Sequence, residues 1–189
     1  MKYIAILASG EGTNAEHLIN YFKGKEVKVS LLVCNNPKAN VLNRAQRLGV
    51  KSLLINKEWL ADAKPVLEKL QDEKIDLIVC AGFLWKIPDN ILHAYPNRVV
   101  NIHPALLPKF GGRGMYGVNV HKAVVEAGEK ESGITIHHLN EHYDEGEIIL
   151  QKKCTVEKND TPESLAQKVQ QLEHEWYPKT IEQLLNKFT

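Results

Sequence analysis

What the 189-residue chain lacks narrows it first. No apolar run approaches the roughly 20 residues that span a bilayer, so no membrane partner is expected. An excess of one charge sign is also missing. The 24 Lys and Arg against 23 Asp and Glu leave a formal net charge of +1, which gives no electrostatic case for a nucleic-acid partner. Three cysteines, Cys34, Cys80 and Cys154, are too few and too scattered for a disulfide framework. Cys34 and Cys80 end apolar runs without a basic neighbour that would favour a thiolate, and read as small buried hydrophobes in a reducing compartment. H-E-x-x-H and C-x-x-C are absent, and so are the G-x-G-x-x-G fingerprint and the P-loop lysine. The N-terminus offers one Lys and a few apolar residues before Ser9-Gly10, the pattern of a strand and not of a signal peptide. A cytoplasmic, single domain over residues 1–189 is expected, and 43% hydrophobic residues can fill one core.

What is present is an alternation. Tyr3–Leu7, Val27–Cys34, Ser52–Ile55, Leu77–Ala81 and Val99–Ile102 are short apolar runs, each ended by turn residues. Helical spacing fills the intervals at Ala15–Phe22, Val41–Leu48 (closed by Gly49), Glu58–Leu70 and Pro88–Ala94. Pro65 either weakens the first turns of the third helix or makes them a separate start. Strands alternating with helices predict an α/β, Rossmann-like, mostly parallel sheet with helices on both faces. After a further helix around Val120–Ala127, Gly133–Leu139 and Ile148–Val156 read as an antiparallel pair, placing one antiparallel strand near the C-terminal part. Thr161 before Pro162 caps a final helical region that runs towards Phe188, with an interruption expected near Pro178.

Three polar clusters stand out against this frame. Asn101 and His103 lie two apart at the end of a buried strand, so their side chains emerge on one side before Pro104 and Pro108 stop the strand. They read equally as loop caps or as a catalytic pair. The Gly10–Asn14 turn joins the first strand to the first helix. Its glycines and the helix N-terminus suit a phosphate, although a plain tight turn explains it as well. His137 and Asp144 form the third cluster, flanked by His138 and His142. His137 and His138 point to opposite faces of a strand, which spoils a shared metal site, and no metal is expected. An amide, an imidazole and a carboxylate without an activated Ser or Cys suit direct group transfer.

Asn101-Ile102-His103-Pro104-Ala105-Leu106-Leu107-Pro108 resembles the signature of the folate-dependent formyltransferases, and Tyr143-Asp144-Glu145-Gly146-Glu147-Ile148-Ile149 is similar to that family's second signature. Both fall in the family's order and separation, and the likeness covers essentially the whole chain. The resemblance implies Asn101, His103 and Asp144 as catalytic residues with His137 in support. It implies 10-formyltetrahydrofolate as co-substrate, held by the backbone of Leu84, Trp85, Lys86 and Ile87 and of the loop with Asn140, Glu141, His142 and Tyr143. Within the family, the Gly10–Asn14 turn and the Glu173-His174…Tyr177-Pro178 helix resemble the branch that formylates glycinamide ribonucleotide. That likeness assigns Gly12, Thr13 and Asn14 to the substrate phosphate and Gln170 and Glu173 to the rest of the same substrate. Small molecules are then the only partners implied. Two departures are visible: residues 110–117 are longer and richer in Gly than in many members, and Trp59 stands near where members often carry an Arg for the folate tail.

Overall fold

In the computed structural model, which describes residues 1–58 and 62–188, seven strands form one sheet in the order β3-β2-β1-β4-β5-β6-β7. The strands are β1 Lys2–Ala8, β2 Val27–Cys34, β3 Lys51–Leu54, β4 Leu77–Cys80, β5 Val99–His103, β6 Glu131–His138 and β7 Ile148–Thr155. The first five run parallel, and β6 runs against both of its neighbours. Ile4, Ile6, Leu77, Val79 and Val100 point to one face of the sheet, and Ala5, Ile78 and Val99 to the other. All are buried, which is why these strands read as unbroken apolar runs. β7 instead alternates between exposed and half-buried residues, as an edge strand does.

Among the described residues, six helices follow from the same pattern: α1 Thr13–Phe22, α2 Asn40–Arg47, α3 Lys64–Asp72, α4 Asp89–Ala94, α5 Val118–Glu126 and α6 Pro162–Leu185. One core joins the sheet to α1, α2, α5 and α6 through Ala15, Leu18, Val41, Val124, Val169 and Ile181. The other joins it to α3 and α4 through Val66, Leu70 and Ile91. Strand order reverses beside β1, with β2 on one side and β4 on the other. Loops leaving the carboxyl ends of strands at such a reversal diverge and leave a crevice.

Most boundaries agree with the sequence pattern within two residues. The third helix takes the separate start: α3 begins at Lys64 with Pro65 in its first turn, and Leu60, expected on its apolar stripe, lies outside the described residues. The last helix corrects the expectation, because α6 continues through Pro178 without interruption. Proline removes one backbone bond there. Burial of Tyr177, Pro178, Thr180 and Ile181 together holds the helix across the gap, and the Tyr177 hydroxyl donates to the Cys80 carbonyl at 2.8 Å. At the other end, Thr161 and Ser164 form a reciprocal cap.

Candidate active site

Antiparallel register brings the first pair together. Asn101 on β5 lies opposite His137 on β6, and cross-strand neighbours share a face. The Asn101 amide nitrogen lies 3.3 Å from His137 Nε2. His137 Nδ1 meets the His138 carbonyl at 3.0 Å, and a carbonyl only accepts, so Nδ1 carries the proton and Nε2 keeps a lone pair. The Asn101 NH2 group therefore donates to His137, and the amide is fixed with its second N–H free. Burial holds the His137 pKa below the ordinary imidazole value, with the Asp144 charge opposing the shift. His138 points to the other face, as its position next to His137 in a strand requires.

His103 is set by a second carbonyl. Its Nε2 donates to Phe110 O at 2.7 Å, which leaves Nδ1 turned to Asp144 Oδ2 at 3.7 Å. The other Asp144 oxygen lies 3.6 Å from His137 Nε2. Asp144 reaches this place from the β6–β7 loop through a left-handed backbone, φ 56°, and the Gly112 N–H donates to its Oδ2 at 2.9 Å. A Cβ at Gly146 would lie 1.7 Å from the His138 carbonyl, so only glycine lets this loop fold back against β6. Thr135 and Gln151, both overlooked in the sequence, pin the segment after His103. Thr135 Oγ1 donates to Ala105 O and accepts from Leu107 N, while the Gln151 amide donates to Leu107 O.

The Gly10–Asn14 turn forms the next wall. Gly12 is the N-cap of α1 at φ 75°, where a Cβ would strike Val41 at 2.3 Å, so the residue must be glycine. Gln170 and Glu173 of α6 reach this turn from across the fold. Gln170 donates to Thr13 Oγ1 at 3.1 Å, and the Asn14 amide donates to Glu173 at 2.9 Å. Burial pushes the Glu173 carboxyl up to about 6 despite the Asn14 bond. The Ser9 hydroxyl accepts from Leu84 N at 2.9 Å and ties the turn to the next loop.

These groups open on one cavity of about 780 Å³, a volume in the range of small-molecule sites. Its lining includes Gly12, Thr13 and Asn14, then Leu84 to Ile87, Asn101, His103, Asn140, His142, Tyr143, Asp144, Gln170 and Glu173. His137 lies behind Asn101, fully buried. The Glu141 side chain turns outwards to His93 at 3.4 Å, and the residue is not among those that line the cavity. The position of Trp59 lies outside the described residues. His121, which the sequence pattern did not single out, also lines the cavity, and the Gly-rich stretch that reads as a binding loop covers one side with residues 112–118. Cys80 reaches the wall, but burial pushes its thiol up to about 12, so it is not a nucleophile. Among the described residues, no group of His, Cys, Asp and Glu is arranged to hold a metal ion, and no helix is long and apolar enough to cross a membrane.

The formyl transferase family model matches residues 2–181. The chain belongs to the formyl transferase family. Among members of this family, phosphoribosylglycinamide formyltransferase of Bacillus subtilis (strain 168) is 37% identical over 191 residues, covering 98% of this chain and 95% of its own. The chloroplastic phosphoribosylglycinamide formyltransferase of Arabidopsis thaliana is 38% identical, and the match spans 95% of this chain but 64% of that protein. Crystal structures agree. Glycinamide ribonucleotide transformylase 1 from Geobacillus kaustophilus superposes with a TM-score of 0.90 at 34% identity, covering 98% of this chain and 99% of that one. The Bacillus halodurans phosphoribosylglycinamide formyltransferase gives 0.89 at 35%, covering 100% and 97%.

Proposed function

We propose that this chain, acting as one formyltransferase domain over residues 1–189, moves the formyl group of 10-formyltetrahydrofolate to the primary amine of glycinamide ribonucleotide. One observation carries the reading. Asp144 stands between His103 and His137, with Asn101 hydrogen-bonded to His137, at the floor of a cavity that joins a phosphate-suited helix N-terminus to an apolar wall.

The α1 N-terminus at Gly12, Thr13 and Asn14 takes the substrate phosphate on unpaired backbone N–H groups. Gln170 and Glu173 hold the rest of the ribonucleotide. The folate lies against Leu84–Ile87 and Asn140–Tyr143, where half-exposed Leu84 and Tyr143 offer apolar surface for its rings. The amine lone pair attacks the formyl carbon, and the carbonyl oxygen becomes an oxyanion. The free N–H of Asn101 and the proton on His103 Nδ1 stabilise that charge. Asp144 supplies the counter-charge to the His103 imidazolium. It also accepts the proton that the attacking amine loses and passes it to the departing folate nitrogen as the carbon–nitrogen bond breaks. Formylated ribonucleotide and tetrahydrofolate are the products. No covalent enzyme intermediate and no metal take part in this scheme.

The deciding assay incubates the purified protein with 10-formyltetrahydrofolate, with and without glycinamide ribonucleotide, and follows loss of the formyl donor. Loss that depends on the ribonucleotide is the expected result. Tight ribonucleotide binding without turnover would overturn the reading in favour of a nucleotide-binding module on the same scaffold.

A further inference from the structure

His121 is the one buried polar group at the cavity that the scheme leaves unused. It is the fourth residue of α5 and is only 6% exposed, yet it lines the cavity beside the catalytic residues. Its Nδ1 is buried without a hydrogen-bond partner. Buried polar atoms nearly always have one, so an unpaired imidazole at a cavity wall marks a place where a ligand completes the bonding. The ring enters this role uncharged. Burial lowers its pKa, nearby His103 adds to the effect, and the positive end of α5 acts in the same sense. A neutral imidazole offers one N–H and one lone pair. That combination matches a hydroxyl or an amide better than it matches a phosphate.

The side of the cavity decides which ligand. α5 packs against α6, and Val124 of α5 shares a core with Ala15 of α1 and Val169 of α6. These two partner helices carry Thr13, Asn14, Gln170 and Glu173. Ile87, Phe83, Trp85 and Leu139, which bracket the folate-facing loops, pack on the opposite face of the sheet. We propose that His121 is a further binding residue for the amine substrate, forming a hydrogen bond through its ring to a hydroxyl or amide of the bound ribonucleotide. This rests on the reading of the chain as a glycinamide ribonucleotide formyltransferase.

The test is calorimetric titration of the unmodified protein, His121→Phe and His121→Gln with glycinamide ribonucleotide, and separately with tetrahydrofolate. Loss of one neutral hydrogen bond should weaken ribonucleotide binding about five- to tenfold in His121→Phe. His121→Gln, which keeps a donor and an acceptor, should recover part of the loss, and tetrahydrofolate should bind all three alike. In the unmodified protein, the His121 ring-nitrogen resonances should shift on saturation with ribonucleotide and stay in place with tetrahydrofolate. Ring nitrogens that do not respond to ribonucleotide, or a folded His121→Phe with undiminished ribonucleotide affinity, would overturn the assignment. Should the Phe variant fail to fold, the Gln variant and the resonance shifts decide alone. Absence of ribonucleotide binding to the unmodified protein sinks the functional reading and this assignment with it. Binding that ignores both substitutions sinks only the assignment.

Discussion

At the floor of the cavity, Asn101, His103 and His137 stand on adjacent strands, and each is fixed by a hydrogen bond to another side chain or to a backbone carbonyl. On the side proposed for folate, residues 84–87 and 140–143 form no helix or strand, and Leu84 and Tyr143 remain 50% and 49% exposed. The floor sits where sheet register leaves its side chains almost no freedom. The wall is free to adapt. Reacting atoms must be held closely for charge stabilisation to work, whereas a large, largely apolar ligand can be gripped by many weak contacts. The proposed chemistry thus rests on the sheet, with Asp144 brought to it by the β6–β7 loop, and ligand selection falls to the other loops.

Four substitutions test this division, and the largest effect belongs to the floor. Asp144→Asn retains the acceptor for Gly112 N–H but removes the charge beside His103. In steady-state assays kcat should fall by about 10²- to 10⁴-fold, with equilibrium binding of both substrates nearly unchanged. Turnover within a few-fold of normal would make Asp144 a loop-shaping residue. Thr13→Ala comes next. A hydrogen bond to a charged group is worth about 1.5–3 kcal/mol, so ribonucleotide affinity should drop about 10- to 150-fold while folate affinity holds. Equal loss of both would erase the distinction between the two sides. Leu84→Ala removes half-exposed apolar surface from the wall. Burial of that surface by folate is worth about 1 kcal/mol, so folate KM should rise about fivefold with kcat kept. A fall in kcat alone would mean that the wall shapes the floor.

The smallest effect concerns Glu173. Its carboxyl, raised from the ordinary 4.5 to about 6 by burial, carries charge only above about pH 6, so kcat/KM for the ribonucleotide should decline as pH falls through that value. Glu173→Gln should flatten this limb of the profile. The same shift means that the folded protein binds the proton more tightly than the unfolded chain. Stability from this group is therefore greatest below pH 4.5, declines as pH rises towards about 6 and stays lower above it. Replacing the carboxyl by an amide should stabilise the protein at pH 8 by at most about 2 kcal/mol, and by nothing at pH 4. Thermal melts at the two pH values check the sign.

The sheet was legible because its strands are buried on both faces and leave unbroken apolar runs, as Val27–Cys34 shows. Asn101 and His103 were legible from their spacing on a strand. Asp144 stood out with His137 as a polar cluster, and the family's second signature gave it a role. Its return to β5 was not legible, because it depends on a long loop and on Gly146 lying against the His138 carbonyl. Pro178 misled because helix interruption is a local rule, whereas α6 is held by tertiary burial of Tyr177 and Ile181. Within residues 140–143 the Glu141 side chain turns away to His93, so the expectation at that position rests on its backbone. His121 left no trace at all, since a histidine beside an apolar helical stripe looks like any half-buried position until the cavity is seen.

The segment after β5 holds two of the proposed catalytic groups by main-chain atoms: Phe110 lends a carbonyl to His103, and Gly112 lends an N–H to Asp144. Neither bond depends on which side chain the loop carries. Gly111 is the constrained member, because a Cβ there would meet Leu107 at 2.6 Å. Arg113, Met115 and Tyr116 are therefore open to drift, and a library confined to those three positions can retune ligand preference while the transfer machinery keeps its alignment.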